Sequence, residues 1–267
     1  ILGTLLITLP NMPDSEFDYR QATHEKVSCG LCGQDNSEPI SRKDRYGLPI
    51  RTVICRNCGL IFISPRMSQT DYNRFYQTAY RRQLEKRRGR IIGLDKLFAK
   101  STKLGQKLAG RVGGYINPGL TLEVGSSCGG VLNGLKSARP DLDVLGLEPS
   151  ALEAGYARNQ GIKTYVAMFE DFRGILPPLQ NIFLVRSFNH LIDPAGFITW
   201  SHRQLSPKGK LVIMVIDFVE ACRRRGILKT QIDHPYMFTQ KTLTSFLRSG
   251  GFGVEYNVID GDYVYLV

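Results

Sequence analysis

The sequence predicts an α/β protein: a doubly wound, mostly parallel sheet behind a small cysteine-bearing module. Three observations carry this. From Leu120 onward, short apolar runs alternate with helical patterns, the rhythm of βα units. Two C-x2-C pairs stand near the start, 22 residues apart. Two β-rich runs, "GFGVEYNVI" and "DYVYLV", meet at a turn at Asp260 and Gly261, which reads as a closing antiparallel pair.

A chain of 267 residues that is 42% hydrophobic can bury a substantial core and a second small unit. No apolar run approaches the roughly 18 residues of a membrane helix, so no membrane span is expected. The opening "ILGTLLITLP" is apolar but short, with no basic leader and no small-residue cleavage site. It reads as a tail or an edge element, and the expected location is cytoplasmic. The formal charge is +11, and its placement matters more than its size. Residues 81–111 hold eleven Lys and Arg against Glu85 and Asp95, leaving the remainder nearly balanced. Such a block suits a phosphate-bearing partner or a solvated helix face.

Cys29, Cys32, Cys55 and Cys58 offer two thiols from each of two tight turns. A zinc ion takes four soft ligands at tetrahedral corners, and two knuckles of this kind supply them. Gly30, Gly33 and Gly59 suit the knuckles. Nothing suggests secretion, and Cys128 and Cys222 are isolated, so disulfides are the weaker reading. Four thiolates leave no open coordination position, so the expected metal is structural.

After the second knuckle, "LIFIS" reads as a strand ended by Pro65. "MSQTDYNRFYQTAY" is helical, with Tyr72, Phe75, Tyr76 and Tyr80 near one face as packing groups. Residues 91–108 carry an apolar stripe of Ile91, Leu94, Leu97, Phe98, Leu104 and Leu108. "GGYINPG" breaks that helix, placing a domain boundary at residues 113–119. The expected organisation is a tail (1–26), a zinc-ribbon module (27–66), a basic helical linker (67–118) and a cofactor-binding domain (119–267).

In the main body, "LTLEVG" is a strand running into a glycine-containing turn and a helix. "DVLGLE", "IKTYVA", "NIFLVRSF" and "KLVIMVI" are the further strands, with helices between them. Ser150 and Asp193 precede helices, Pro194 fits a first turn, and Thr239 opens the last helix. Ligands of such sheets lie beyond the carboxyl ends of the strands. There the first strand ends in Glu123, Gly125, Ser126, Ser127, Cys128 and Gly129, and the second in Glu148. A carboxylate at that position can accept both hydroxyls of a ribose. A dinucleotide and S-adenosylmethionine both fit, but G-x-G-x-x-G is absent because Ser127 stands at the middle glycine.

The chain resembles the class I S-adenosylmethionine-dependent methyltransferases, most closely a bacterial branch with an amino-terminal zinc ribbon. The resemblance rests on "CGLCG", "CRNCGLIFISP", "FYQTAY", "LEVGSSCG", "GLEPS", "NHLIDP", "LSPKG" and "HPYMFTQKTLTSFLRSGGF", in order from about residue 27 to the end. It implies a Rossmann-like seven-stranded sheet of order 3-2-1-4-5-7-6 with the last strand antiparallel. It also implies S-adenosylmethionine and a structural zinc as cofactors. The methionine moiety would lie over residues 123–129, the ribose on Glu148 beside Pro149, and the adenine between Met168 and Phe169. Two departures stand out: Ser127 replaces a glycine, and Asn189 replaces a glutamate beside His190.

Methyl transfer from a sulfonium needs alignment and dryness more than covalent help. A base matters where the acceptor is a hydroxyl or an activated carbon. His190, after the fourth strand, and His234, after the fifth, are the catalytic candidates, with Asp217 a weaker one. Arg186 is placed with the cofactor-binding residues and is also a candidate for an acceptor phosphate. The leading expectation is in-line transfer to a small-molecule acceptor, a nucleotide-linked sugar or glycan, since zinc-ribbon relatives are associated with surface polysaccharide and natural-product pathways. The alternatives are an RNA methyltransferase using the basic linker and ribbon, and a non-catalytic S-adenosylmethionine-binding scaffold.

Overall fold

Each cysteine pair turns a tight corner next to a short strand. The computed structural model describes residues 17–89, 91, 93–225 and 230–267, with the side chains of Leu84, Arg87, Arg88 and Arg225 excepted. The apolar opening segment, Arg90, and the side chains of Arg87 and Arg88 in the basic block lie outside the described residues. The amino-terminal part contains β1 (His24–Glu25), β2 (Ser37–Ser41), β3 (Thr52–Cys55), β4 (Ile61–Ile63) and β5 (Arg66–Met67). β3 and β4 form a hairpin across the second knuckle, with Ile54 opposite Ile61, and β2 flanks β3. β1 pairs with β5 as a separate two-stranded ladder.

Helix α1 (Gln69–Thr78) is capped by Ser68, whose hydroxyl accepts from the Asp71 amide, and it buries Tyr72 and Phe75 completely. The aromatic face is therefore a packing face, as the helical spacing predicts. α2 (Tyr80–Arg88) follows directly, and α3 (Leu94–Val112) begins three residues beyond Ile91. Ile91 is 86% exposed and is not part of the stripe. The buried side of α3 is instead Gly105, Leu108, Ala109 and Val112.

The main body runs β6 (Gly119–Val124), α4 (Gly130–Ala138), β7 (Leu142–Glu148), α5 (Ala151–Asn159), β8 (Thr164–Val166), β9 (Leu179–Val185), α6 (Pro194–Gln204) and β10 (Leu205–Ile216). Then come α7 (Phe218–Arg225), β11 (Tyr236–Met237), α8 (Gln240–Ser249), β12 (Asn257–Asp260) and β13 (Tyr263–Leu266). The seven-stranded sheet has the order β8-β7-β6-β9-β10-β13-β12. Counted within the sheet, that is 3-2-1-4-5-7-6. β13 runs antiparallel to β10, and the pairs among β6 to β10 are parallel. The closing hairpin is shorter than the alternation suggests, because strand pairing begins only at Asn257.

The sheet separates two cores. On one face α3, α4 and α5 pack Leu108, Val112, Leu132, Leu135 and Ala157 against Phe183, Val212 and Met214. Gly105 and Gly134 bring α3 and α4 into backbone contact: a Cβ on Gly134 would meet the Thr102 carbonyl oxygen at 2.1 Å. On the other face α6 and α8 add Phe197, Leu243, Phe246 and Leu247 to Leu122, Ile182 and Ile213. The same core continues through Tyr236 and Phe238 into Cys29, Val53, Leu60 and Phe62 of the amino-terminal part. β11, more than 170 residues along the chain, is the fourth strand of the small sheet, in the order β11-β4-β3-β2.

Candidate functional site

β6 leaves the sheet through a turn at residues 125–129 and re-enters helix at α4. Gly125 and Gly129 take φ of +77° and +78°, and Ser127 takes +51°, a left-handed conformation that disfavours side chains. The turn is held on the end of β7 by the Gly125 and Ser126 amides, both donating to the Leu147 carbonyl. Glu148 completes the hold: one carboxylate oxygen accepts from the Ser127 amide (2.8 Å) and the other from the Ser150 amide (2.9 Å).

Above the turn lies a cavity of about 490 Å³. Glu123, Gly125, Ser126, Ser127, Glu148, Pro149, Met168, Phe169, Arg186 and His190 all line it. α2 and α3 form its roof with Tyr80, Arg81, Leu97, Ser101 and Leu104. Two of the expected binding residues sit behind its wall. Cys128 is fully buried, and Gly129 packs against Ala157 and Ile162. Met168 and Phe169 lie after β8, with Phe169 edge-on to Phe197 at 5.2 Å. Arg186, at φ +64°, places its guanidinium over the Tyr263 ring at 4.7 Å.

The head of the cavity is acidic. Glu123 is 2% exposed with one carboxylate oxygen unpartnered among the described residues, and burial followed by Glu148 pushes its pKa well up. Burial and then Glu153 raise Glu148 to about 8, although the two amides it accepts from favour the anion. Glu153 accepts from the Ser127 hydroxyl and pairs with Arg81 of α2. Glu153 and Arg81 are additions that sequence reasoning missed. Three acids around one opening suit a ligand that carries hydroxyl hydrogens and positive charge.

Of the two catalytic candidates, only His190 faces this cavity. His234 lines a separate cleft of about 30 Å³, its ring edge-on to that of His190 at 4.6 Å. The Tyr76 hydroxyl donates to the Asp233 carbonyl (2.8 Å) and also lies 2.7 Å from His190 Nδ1. The phenol has one hydrogen and the carbonyl can only accept. Nδ1–H of His190 therefore donates to Tyr76, and Nε2 is the basic nitrogen. Burial holds the His190 pKa below its ordinary 6.5, with Asp233 opposing in part. Asp217 is used structurally, since its oxygens accept from the Glu220 amide (2.8 Å) and the Gln240 amide (2.6 Å).

The four cysteines converge as their spacing predicts. Their sulfurs lie within 4.8 Å of one another, with Cys29 and Cys58 at 3.4 Å and Cys32 and Cys55 at 3.5 Å. The amides of Leu31 and Cys32 face the Cys29 sulfur, and those of Asn57 and Cys58 face Cys55. Burial drives the Cys29 and Cys58 thiols up. The donor set and its amide shell fit a tetrahedral zinc ion.

No protein-family model matches the chain, and no curated protein matches it. Among solved structures it is similar to an S-adenosylmethionine-dependent methyltransferase from Clostridium acetobutylicum, at 10% identity and a TM-score of 0.50 over 61% of this chain and 88% of that one. It is similar to an S-adenosylmethionine-dependent methyltransferase from Thermotoga maritima described as a possible histamine N-methyltransferase, at 20% identity and a TM-score of 0.51 over 64% and 89%. A third is the CcbJ methyltransferase from Streptomyces caelestis, at 12% identity and a TM-score of 0.51 over 61% and 87%. At these identities the likeness is one of fold: the chain carries the fold of the class I S-adenosylmethionine-dependent methyltransferases. Among the described residues, no helix is long and apolar enough to cross a membrane.

Proposed function

We propose that this protein transfers a methyl group from S-adenosylmethionine to a small-molecule acceptor, a nucleotide-linked sugar or glycan. The observation that carries the reading is a single cavity with two chemistries: the turn and Glu148 at one side, and His190, its Nδ1 held by Tyr76, at the other. Glu148 would accept the ribose hydroxyls, residues 123–127 would cradle the methionine end, and Met168 and Phe169 would flank the adenine. The bound cofactor supplies an electrophilic methyl on sulfur. His190 Nε2 would take the acceptor's proton as the acceptor bonds to that methyl in line, with Tyr76 holding the other ring nitrogen. The sugar class is supported by the resemblance of the ribbon and "NHLIDP" segments to the zinc-ribbon branch. We propose the same organisation for the chain, a tail (1–26), a zinc ribbon (27–66), a linker (67–118) and a methyltransferase domain (119–267), in a cytoplasmic protein.

The test is native mass spectrometry with S-adenosylhomocysteine, followed by transfer of labelled methyl to nucleotide-sugar pools. One zinc and one nucleoside per chain, with label in a nucleotide sugar, is the expected result. Absence of nucleoside binding would remove the methyltransferase reading, and binding without label would remove the sugar acceptor. One observation favours RNA as a second acceptor class. Lys96, Lys100, Lys103 and Lys107 are all exposed along α3, whereas Arg81 is engaged with Glu153 and Glu85.

A further inference from the structure

The ribbon and the acceptor side of the cavity are one piece of structure. Tyr236 stands opposite Phe62 and Met237 opposite Ile61, so β11 is held by a strand that leaves the second cysteine knuckle. The Ile63 amide donates to the Pro235 carbonyl at 2.9 Å, extending that hold towards residues 233 and 234. The first knuckle reaches the same segment from the other side. A Cβ on Gly30 would stand 2.7 Å from the Tyr236 hydroxyl, and Tyr236 is 4% exposed. Arg66, in β5, donates to the Tyr236 hydroxyl (3.2 Å) and to the Ile192 carbonyl (2.9 Å), two residues beyond His190. The segment so held presents the Asp233 carbonyl to Tyr76 and the His234 ring to the edge of His190.

We propose that the four-cysteine ribbon positions His190. The metal fixes the two knuckles, β4 and Gly30 fix Tyr236, and Tyr236 fixes the Asp233–His234 turn that sets the tautomer and packing of His190. His234 and Tyr236 are then positioning residues, and the zinc site acts on His190 through them as well as stapling the fold. A ribbon of this size owes much of its order to its ion, so metal occupancy reports at the active-site loop. The nucleoside end of the cavity is built on β6 and β7 and makes no use of the ribbon strands.

This rests on the methyltransferase reading for its consequence, while its first readouts are independent of turnover. Hydrogen exchange is compared between the zinc-loaded chain and the chain stripped by a chelator, with S-adenosylhomocysteine affinity measured on both. Peptides spanning residues 230–238 are expected to lose at least tenfold protection on stripping, with nucleoside affinity changed by less than about threefold. Unchanged protection in that segment overturns the proposal, and so does uniform loss over the whole sheet. Two variants keep the test decisive with metal bound. Gly30→Val pushes on Tyr236 from the knuckle, and Tyr236→Ala removes it while leaving all four thiols in place. Both are expected to retain one zinc, to lose the Nδ1–H preference of His190 read from imidazole nitrogen shifts, and to lower kcat tenfold or more at an unchanged KM for S-adenosylmethionine. A His190 tautomer unmoved in both variants overturns the proposal. A shifted tautomer in a protein that never transfers methyl sustains it and rejects the enzymatic reading alone.

Discussion

His190 was nameable from its place after the fourth strand, but its protonation was not, because that depends on a phenol 114 residues away. With Nδ1–H given to Tyr76, the ring is a neutral base at Nε2, and burial keeps it so below pH 6.5. The profile of kcat, which reports groups of the bound complex, is therefore expected to be flat through neutrality, with an acidic limb below pH 6.5. His190→Ala should lower kcat by about 10²- to 10⁴-fold, the usual range for a lost general base, with nucleoside affinity nearly unchanged. Glu148 works in the opposite sense. Its folded pKa of about 8 lies above the ordinary 4.5, so the folded apoprotein holds a proton that the unfolded chain releases. Its contribution to stability is fully present below pH 4.5 and is lost as pH rises through about 8. Glu148→Gln should flatten the decline in apoprotein Tm between those values. It should also weaken S-adenosylhomocysteine binding by about 10- to 100-fold, as hydrogen bonds to a charged acceptor contribute roughly 1.5–3 kcal/mol. A steep decline that survives the substitution would assign the effect to Glu123 or Glu170, both of which are also raised.

At the scale of elements, the sequence was most legible where one period lasted long enough to be seen. β6, β7, β9 and β10 each carry a short apolar core, and Ser150, Asp193 and Thr239 do cap helices. α3 was visible as an amphipathic helix, yet its partner was not. A stripe says that a face is buried without saying against what, and the Gly105–Gly134 approach depends on backbone proximity that no period encodes. β11 was invisible for a different reason: two residues cannot show alternation, and their partners lie in a strand more than 170 positions earlier. Because α3 lines the cavity with Leu97, Ser101 and Leu104, its contact with α4 should matter for binding too. Gly134→Val is expected to destabilise the chain by about 1–3 kcal/mol through overpacking, measured as a lower urea midpoint. It should also weaken nucleoside binding, whereas Gly114→Val, at a position with no atom within 4 Å of an added Cβ, should do neither.

At the scale of the whole molecule, the turn and the acid on the next strand were legible as a pair because they lie close in sequence. The Ser127–Glu153–Arg81 link was not, since it joins three elements through side chains alone. That link changes how the charge of the chain should be read. Of the basic block, Arg81 faces inward to Glu153 and Arg111 is paired with Asp260, while four lysines of α3 remain on the surface. Lys96 to Lys107 spans about 16 Å of helix at 1.5 Å per residue, a length that can follow a phosphate backbone. If the outward charge serves nucleic acid, replacing Lys96, Lys100, Lys103 and Lys107 by Gln should reduce the slope of log affinity for single-stranded RNA against log salt by about 3, at roughly 0.7 per phosphate contact. If the acceptor is a small molecule bound inside the cavity, the same variant should keep its full rate of methyl transfer and its S-adenosylhomocysteine affinity. RNA binding measured by fluorescence anisotropy from 50 to 300 mM salt separates the two. A slope unchanged by the substitutions assigns these lysines to solvation and the acceptor to the cavity beside His190.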